Sequence, residues 1–301
     1  MRVEIQLPAK PGHISNLEFV RILTPYVFSL GVVKGNRVLD VGCGFGHGSW
    51  LLLSAGAERV TALDLDESRA RQVLRLCGSF ERFRAFVMDA QRLGFRDESF
   101  DVVTCFEVVE HVPRPRVLLA DLRRVLKPNG TLLLSTPNRK LRLLPPQRPW
   151  NPEHLREYRL TSLQRFLRSC FPSYRVLGVY GDPEPYDFYV RSWRQDPLRV
   201  YLGRVGLFLR RLVPASGRRW MKAQLGWHDS GASGGQGVSV RDIRIPPPVP
   251  EEWPFYVGDV HEACMDFLAV CGYDDSVVQR AANEIRRAVR RQPGFRGKVL
   301  T

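Results

Sequence analysis

The chain has 301 residues and a hydrophobic content of 44%, which is enough for a globular protein with a sizeable core. Its formal net charge of +14 favours an anionic partner such as nucleic acid or anionic lipid, although a solvated Arg-rich surface accounts for it equally well. The six cysteines form no Cys-x-x-Cys pair, which argues against a zinc site and a disulfide framework. The first residues lack a signal-peptide core and no apolar run could cross a bilayer, so we expect a cytoplasmic protein.

Strands and helices alternate over the first 192 residues. The apolar pattern predicts a helix at 14–31 and then a strand at 37–41. Further strands are predicted at 60–63, 84–88, 101–105, 131–135, 174–180 and 186–190, and further helices at 49–55, 67–77, 115–126 and 161–170. This alternation is typical of a parallel sheet covered on both faces, so we expect a Rossmann-like, doubly wound α/β sheet of seven strands.

The composition changes after residue 192, and we place a domain boundary there, with a basic, mainly helical extension at 193–301. Residues 198–213 have apolar positions at a helical period and arginines on the opposite side. Such a helix either covers the protein or lies on an anionic membrane surface. Residues 230–250 are rich in Gly, Ser and Pro, which predicts a flexible loop. Two more helices are predicted at 260–271 and 276–291.

A glycine-rich turn directly follows the first strand and precedes a helix. It contains Gly42, Gly44 and Gly46. Glycine allows a tight turn and lets a ligand approach the main chain closely. His47 stands where a dinucleotide-binding fingerprint would continue with glycine, which argues against NAD or FAD.

Acidic residues follow the next strands at the same edge of the predicted sheet. Asp64 ends the second strand, where a carboxylate can accept hydrogen bonds from both hydroxyls of a ribose. Asp89 follows the third strand, where its carboxylate can receive an adenine amino group. Phe106 and Glu107 follow the fourth strand. Because open α/β sheets bind ligands at the carboxyl ends of their strands, these residues predict a nucleoside site.

Residues 36–170 resemble the class I S-adenosylmethionine (SAM)-dependent methyltransferases. The resemblance rests on these segments: Val38–Gly44, Leu63–Asp64, Asp89–Ala90, Phe100–Val103, Leu126–Gly130 and Leu134–Asn138. It implies that residues 1–192 form a SAM-binding methyltransferase domain, with Gly42 and Gly44 against the methionine part, Asp64 on the ribose and Asp89 with Ala90 on the adenine. The cofactor contacts that we expect are Asp40, Gly42, Cys43, Gly44, Asp64, Leu65, Asp89, Ala90 and Phe106.

A Glu-x-x-Glu-His segment follows the fourth strand, where an acceptor would meet the cofactor. It contains Glu107, Glu110 and His111, and His154 stands in a later polar segment. Two carboxylates and two imidazoles could hold a divalent ion, with Mg²⁺ as the candidate, which would lower the pKa of an acceptor hydroxyl. Without a metal, His111 or His154 could act as the general base, and Glu107 is the third candidate catalytic residue. Glu110 and His111 could also do no more than cap a helix.

The acceptor is the least defined part of the prediction. The Glu-x-x-Glu-His pattern resembles small-RNA 2′-O-methyltransferases, ubiquinone-pathway O-methyltransferases and bacterial glycan-pathway methyltransferases, and Asn151–Tyr158 is most similar to the glycan-pathway group. We therefore expect O-methylation of a small or lipid-linked molecule such as a sugar, at or near the inner face of the membrane. The alternatives are a metal-dependent RNA 2′-O-methyltransferase, which the charge favours, and a non-catalytic protein that keeps the SAM-binding fold.

Overall fold

The computed structural model describes residues 14–143, 149, 151, 153–182, 255–261 and 263–290. The strands are β1 (Arg37–Val41), β2 (Arg59–Asp64), β3 (Phe83–Val87), β4 (Phe100–Phe106), β5 (Leu126–Pro137), β6 (Ser173–Gly181), β7 (Phe255–Asp259) and β8 (Asp266–Gly272). The helices are α1 (Ile14–Val33), α2 (His47–Ser54), α3 (Glu67–Cys77), α4 (Pro115–Val125), α5 (Arg139–Arg142), α6 (Leu160–Arg168) and α7 (Asp275–Arg290). The predictions for residues 186–190, 198–213 and 230–250 lie outside the described residues.

The eight strands form one sheet in the order β3-β2-β1-β4-β5-β8-β6-β7. Strands β1 to β5 are parallel to one another, and β8 is antiparallel to both β5 and β6. The chain order reverses at β1, which lies between β2 and β4, so the carboxyl ends of β1 and β4 flank the crevice in which such sheets bind ligands. The doubly wound α/β sheet is confirmed. Six of the seven predicted strands are present, and β7 and β8 from the C-terminal part of the chain bring the described strands to eight.

Helices cover both faces of the sheet, and alternate residues of each strand face opposite layers. Leu133 of β5 belongs to the core that contains α1, α2, α3 and α7, whereas Leu132 and Leu134 belong to the core that contains α4 and α6. Both cores consist of side chains that are almost entirely buried. The central strands are therefore apolar on both sides, as expected for a three-layer α/β/α arrangement.

The prediction of a helix at 260–271 is wrong, because the second half of that segment forms β8. Every residue of β8 is buried, and the strand lies between β5 and β6. A strand covered on both faces has an unbroken apolar run, and periodicity alone does not distinguish such a run from a buried helix. The helix predicted at 276–291 is confirmed as α7 (Asp275–Arg290). The sheet thus takes strands from both sides of the boundary that we place at residue 192.

Candidate active site

The turn after β1 depends on glycine at two positions. Gly42 and Gly44 have φ angles of +70° and +53°, in the left-handed region that other residues rarely adopt. A Cβ atom on Gly42 would overlap the Cγ2 atom of Val108, whereas a Cβ atom on Gly44 would meet nothing within 4 Å. Gly42 therefore fits against the segment that follows β4, and Gly44 borders open space from which a ligand can reach the main chain.

Asp40 lies beneath this turn and holds it to three other elements. Its carboxylate accepts hydrogen bonds from Tyr26 Oη (2.9 Å), Ser49 Oγ (2.6 Å) and Thr104 Oγ1 (2.8 Å), which belong to α1, α2 and β4. Burial raises the pKa of Asp40, against these three hydrogen bonds. The structure therefore places this expected cofactor contact in the core, where it supports the turn from below.

Asp64 and Asp89 lie at the same edge of the sheet, at the carboxyl ends of β2 and β3. The N–H group of Gly44 donates to Asp64 Oδ2 (2.9 Å), and the N–H group of Asp66 donates to Oδ1 (3.0 Å). Asp89 is exposed, and its Oδ1 accepts a hydrogen bond from the N–H group of Gln91 (2.8 Å). Backbone groups thus fix both carboxylates, and each oxygen keeps a lone pair for a ligand hydroxyl or amino group.

The remaining expected cofactor contacts differ in exposure. Leu65 is 72% exposed and Ala90 is half-buried. Cys43 and Phe106 are buried, and burial raises the pKa of the Cys43 thiol. The Phe106 ring packs edge-on against Tyr26 at 4.6 Å between centroids. The side chains of Cys43 and Phe106 therefore lie in the core below the turn, and those of Leu65 and Ala90 lie at the surface.

Three polar side chains from two separate segments meet after β4. One ligand atom each of Glu110, His111 and His154 lies within 4.8 Å of the others. The two imidazole rings are perpendicular, with centroids 4.6 Å apart. The N–H group of Leu155 donates to the carbonyl oxygen of Glu110 (2.9 Å), which ties the two segments together. The structure thus brings together three of the four residues that the sequence analysis assigns to a metal.

Each residue of this group has one atom engaged. His111 Nδ1 lies 3.2 Å from the carbonyl oxygen of Glu153, and His154 Nδ1 lies 2.9 Å from Glu157 Oε1. Glu110 is fully buried and its Oε2 accepts from Thr136 Oγ1 (2.9 Å), while its Oε1 has no hydrogen-bond partner within the described residues.

Burial sets the protonation of this group. It raises the pKa of Glu110, with the nearby charge of Glu107 adding to the shift. It lowers the pKa of His111, as does the neighbouring His154. The group therefore favours a neutral His111 imidazole, which has a lone pair to offer to a proton or a cation.

Glu107 lies outside this group and belongs to a cluster around Arg21. The Arg21 guanidinium is 2% exposed and binds Glu18 (2.7 Å), Glu107 (3.3 Å) and, at short range, Asp266. Ser135 Oγ also donates to Glu107 Oε1 (3.0 Å). Glu107 has a φ angle of +55°, which is unusual for a residue with a side chain, so these contacts hold it in a strained backbone conformation.

Four further charged residues lie near the candidate site, although no sequence motif points to them: Arg21, Arg142, Glu157 and Asp266. Each is buried. Arg21 and Asp266 each interrupt an apolar run, Phe19–Leu23 and Met265–Cys271. A charged residue in an apolar run is a signal of a buried ion pair, since such residues are almost never fully buried unless they are paired.

The comparisons with known proteins agree with this geometry. Residues 39–134 match a family model described as a methyltransferase domain. The chain is similar to a ubiquinone biosynthesis O-methyltransferase from Xanthomonas oryzae pv. oryzae, with 41% identity over 135 residues, which cover 44% of this chain and 54% of the relative. A protein of the same name from Coxiella burnetii is 34% identical over 141 residues, 44% of this chain and 55% of the relative. The chain thus spans about half the length of these curated relatives.

A solved structure extends the likeness in fold beyond the matched segment. The crystal structure of the (4+2)-cyclase SpnF has a TM-score of 0.50 to this chain at 16% identity, and the match covers 90% of this chain and 86% of that one. At this identity the likeness shows the fold alone. The strand order, the glycine turn and the match of residues 39–134 to a methyltransferase domain together support a class I SAM-dependent methyltransferase fold for this part of the chain.

Proposed function

We propose that this chain transfers the methyl group of SAM to a hydroxyl oxygen of a small or lipid-linked molecule, such as a sugar. The proposal rests on the group formed by Glu110, His111 and His154. Two of these residues come shortly after Val108, which lies against Gly42 beyond the carboxyl end of β4. Methyl transfer requires the acceptor oxygen to lose its proton as it attacks the sulfonium methyl in line. A neutral imidazole of His111 or His154 can take that proton, and the thioether S-adenosylhomocysteine leaves.

The names of the relatives favour oxygen as the methylated atom. The curated proteins that match residues of this chain at 34–41% identity are named O-methyltransferases. The fold alone would not decide the reaction, because the solved structure that shares it is named a cyclase. The site is therefore the basis of the proposal, and the shared name supports its choice of atom.

A divalent cation at Glu110, His111 and His154 is a second element of the proposal. Among the residues that the structure describes, Oε1 of the buried Glu110 has no hydrogen-bond partner, and each imidazole is engaged through Nδ1, which leaves Nε2 as a possible metal ligand. Two nitrogens and one carboxylate suit Mn²⁺, Fe²⁺ or Zn²⁺ better than Mg²⁺, which prefers oxygen ligands alone. When bound, such an ion would lower the pKa of an acceptor hydroxyl. Loss of activity in chelator and recovery with Mn²⁺ or Zn²⁺ is expected, and full activity in excess chelator would contradict this element.

Tritium-labelled SAM tests the proposed reaction directly. Purified protein is incubated with labelled SAM and, in separate arms, a phenol, a glycoside and an RNA oligonucleotide with a free 3′ end. We expect label in the phenol or the glycoside, whereas label only in RNA would support the alternative acceptor. The variant His111→Ala should lose transfer but keep its Kd for SAM in calorimetry, and Asp89→Asn should weaken SAM binding. A protein that does not bind SAM would overturn the proposal.

Attachment to an anionic membrane surface belongs to the same proposal for a lipid-linked acceptor. In the ranges that the structure describes, none of the helices is long and apolar enough to cross a bilayer. The segment 198–213, on which the membrane prediction rests, lies outside those ranges. We expect the protein to sediment with vesicles that contain anionic lipid at low salt. Protein that stays in the supernatant would contradict attachment to a membrane.

A further inference from the structure

We propose that Glu157 is a positioning residue that holds His154 as the tautomer with its proton on Nδ1, which leaves the Nε2 lone pair for the acceptor. The inference rests on the proposed function, because it concerns the same histidine. It also restricts the acceptor to groups that carry a proton, such as a hydroxyl. No residue of the sequence motif suggests this role, since Glu157 comes from a different segment than Glu107 and Glu110.

The geometry of Glu157 supports a fixed hydrogen bond to His154. The Glu157 side chain is completely buried, that of His154 is 6% exposed, and Oε1 lies 2.9 Å from Nδ1. An ionised carboxylate only accepts hydrogen bonds, so Nδ1 must carry the proton that is shared. The buried guanidinium of Arg142 lies 3.8 Å from the same oxygen and offsets the charge of Glu157.

His111 is held in the same way by a different group. Its Nδ1 lies 3.2 Å from the backbone carbonyl of Glu153, and a carbonyl oxygen can only accept, so this nitrogen also carries the proton. Both imidazoles therefore keep Nε2 as the nitrogen with a lone pair. One ring nitrogen of each histidine and one carboxylate oxygen of Glu110 lie within 4.8 Å of one another. Imidazole lone pairs close to a carboxylate attract a proton donor or a cation and disfavour an acceptor without a proton.

Histidine tautomers can be measured without knowing the substrate. Long-range proton–nitrogen correlation spectra of ¹⁵N-histidine-labelled protein distinguish the two tautomers, and the signal lost in His154→Ala identifies His154. We expect the Nδ1–H tautomer in the wild type and in Glu157→Gln, whose amide oxygen still accepts a hydrogen bond. In Glu157→Ala we expect a shift toward the Nε2–H form. An Nε2–H tautomer in the wild type, or an unchanged tautomer in Glu157→Ala, would overturn the inference.

Kinetics provide the second measurement. A partner that orients a histidine contributes a factor of about 10 to 100, so Glu157→Ala should lower kcat by that factor with the KM for SAM unchanged. Glu157→Gln should recover most of the loss, which a merely structural role would not predict. The control Glu58→Ala removes an exposed carboxylate that precedes β2, at the edge of the sheet opposite to the site, so its kcat should match the wild type. Absence of methyl transfer in the wild type would defeat the proposed function while leaving the tautomer measurement intact.

Discussion

The side of the crevice that we propose for the cofactor and the side that we propose for the acceptor are formed by different kinds of groups. On the cofactor side, backbone N–H groups and glycines dominate, as in the hydrogen bond from Gly44 to Asp64. On the acceptor side, buried charged side chains from distant segments meet, as in the cluster of Arg21, Glu107 and Asp266. A site made of backbone depends on conformation, whereas a site made of buried charges depends on every partner being present. The two sides should therefore respond to mutation in different ways.

Loss of Arg21 should produce the largest effect. The variant Arg21→Met keeps the bulk of the side chain but leaves Asp266 and Glu107 without their common partner. Removing one member of a buried ion pair costs about 3–5 kcal/mol, so we expect a loss of that size in the free energy of unfolding, measured in urea at pH 8, where Asp266 is ionised. The exposed pair of Arg71 and Glu67 provides the control, because Arg71→Met should cost less than about 1 kcal/mol. Equal stability of the two variants would contradict the burial argument.

Alanine substitutions at Gly42 and Gly44 should distinguish an effect on stability from an effect on SAM binding. Gly42→Ala adds left-handed strain of about 1–2 kcal/mol and an overlap with Val108 that costs a further 1–3 kcal/mol or so. Gly44→Ala adds only the strain of about 1–2 kcal/mol, because its Cβ has open space.

The two alanine variants are compared by urea unfolding and by calorimetry with SAM. We expect Gly42→Ala to be the less stable, and Gly44→Ala to lose SAM affinity out of proportion to its smaller loss of stability. If Gly44→Ala bound SAM as tightly as the wild type, the open space at Gly44 would not be the cofactor side of the crevice.

The sequence was sufficient to bring the expected cofactor contacts to one edge of the sheet, because their determinants are local. Gly42 and Gly44 follow β1, and Asp64 and Asp89 follow β2 and β3, so strand order alone places them together. The pairing of His111 with His154 could be anticipated only from the resemblance to known families. No feature of the sequence around Glu157 indicates that its carboxylate contacts an imidazole.

The Arg21 cluster shows why the acceptor side resists prediction. Arg21 lies 245 residues from Asp266 along the chain, and its contact depends on β8 entering the sheet beside β5. That strand was predicted as a helix, because a segment buried on both faces carries no two-residue alternation. An error in one element therefore hid an ion pair at the site, although an isolated charge in each apolar run was visible.

The pH dependence of stability should reveal the charge of Asp266 as a smaller effect. Burial raises the pKa of Asp266 from an ordinary 3.8 to about 7, with Arg21 opposing the shift and Glu107 adding to it. Because the folded state then holds a proton that the unfolded state releases above pH 4, stability falls as the pH rises from about 4 to 7 and is constant above that window. For a pKa of about 7, the loss between pH 6 and pH 8 is about 1.4 kcal/mol.

The variant Asp266→Asn isolates this contribution from those of other buried acids such as Glu110. Asparagine does not titrate, so the stability of the wild type relative to Asp266→Asn should be higher at pH 6 than at pH 8. Urea unfolding at both pH values measures the difference, and the slopes that Glu110 and other groups contribute cancel in the comparison. A relative stability that does not change with pH, or that rises with pH, would mean that the charge of Arg21 lowers the pKa of Asp266 more than burial raises it. Asp266 would then be ionised in the folded protein. In that case Arg21 would face two ionised carboxylates, those of Asp266 and Glu107, and the cluster would carry one more negative charge.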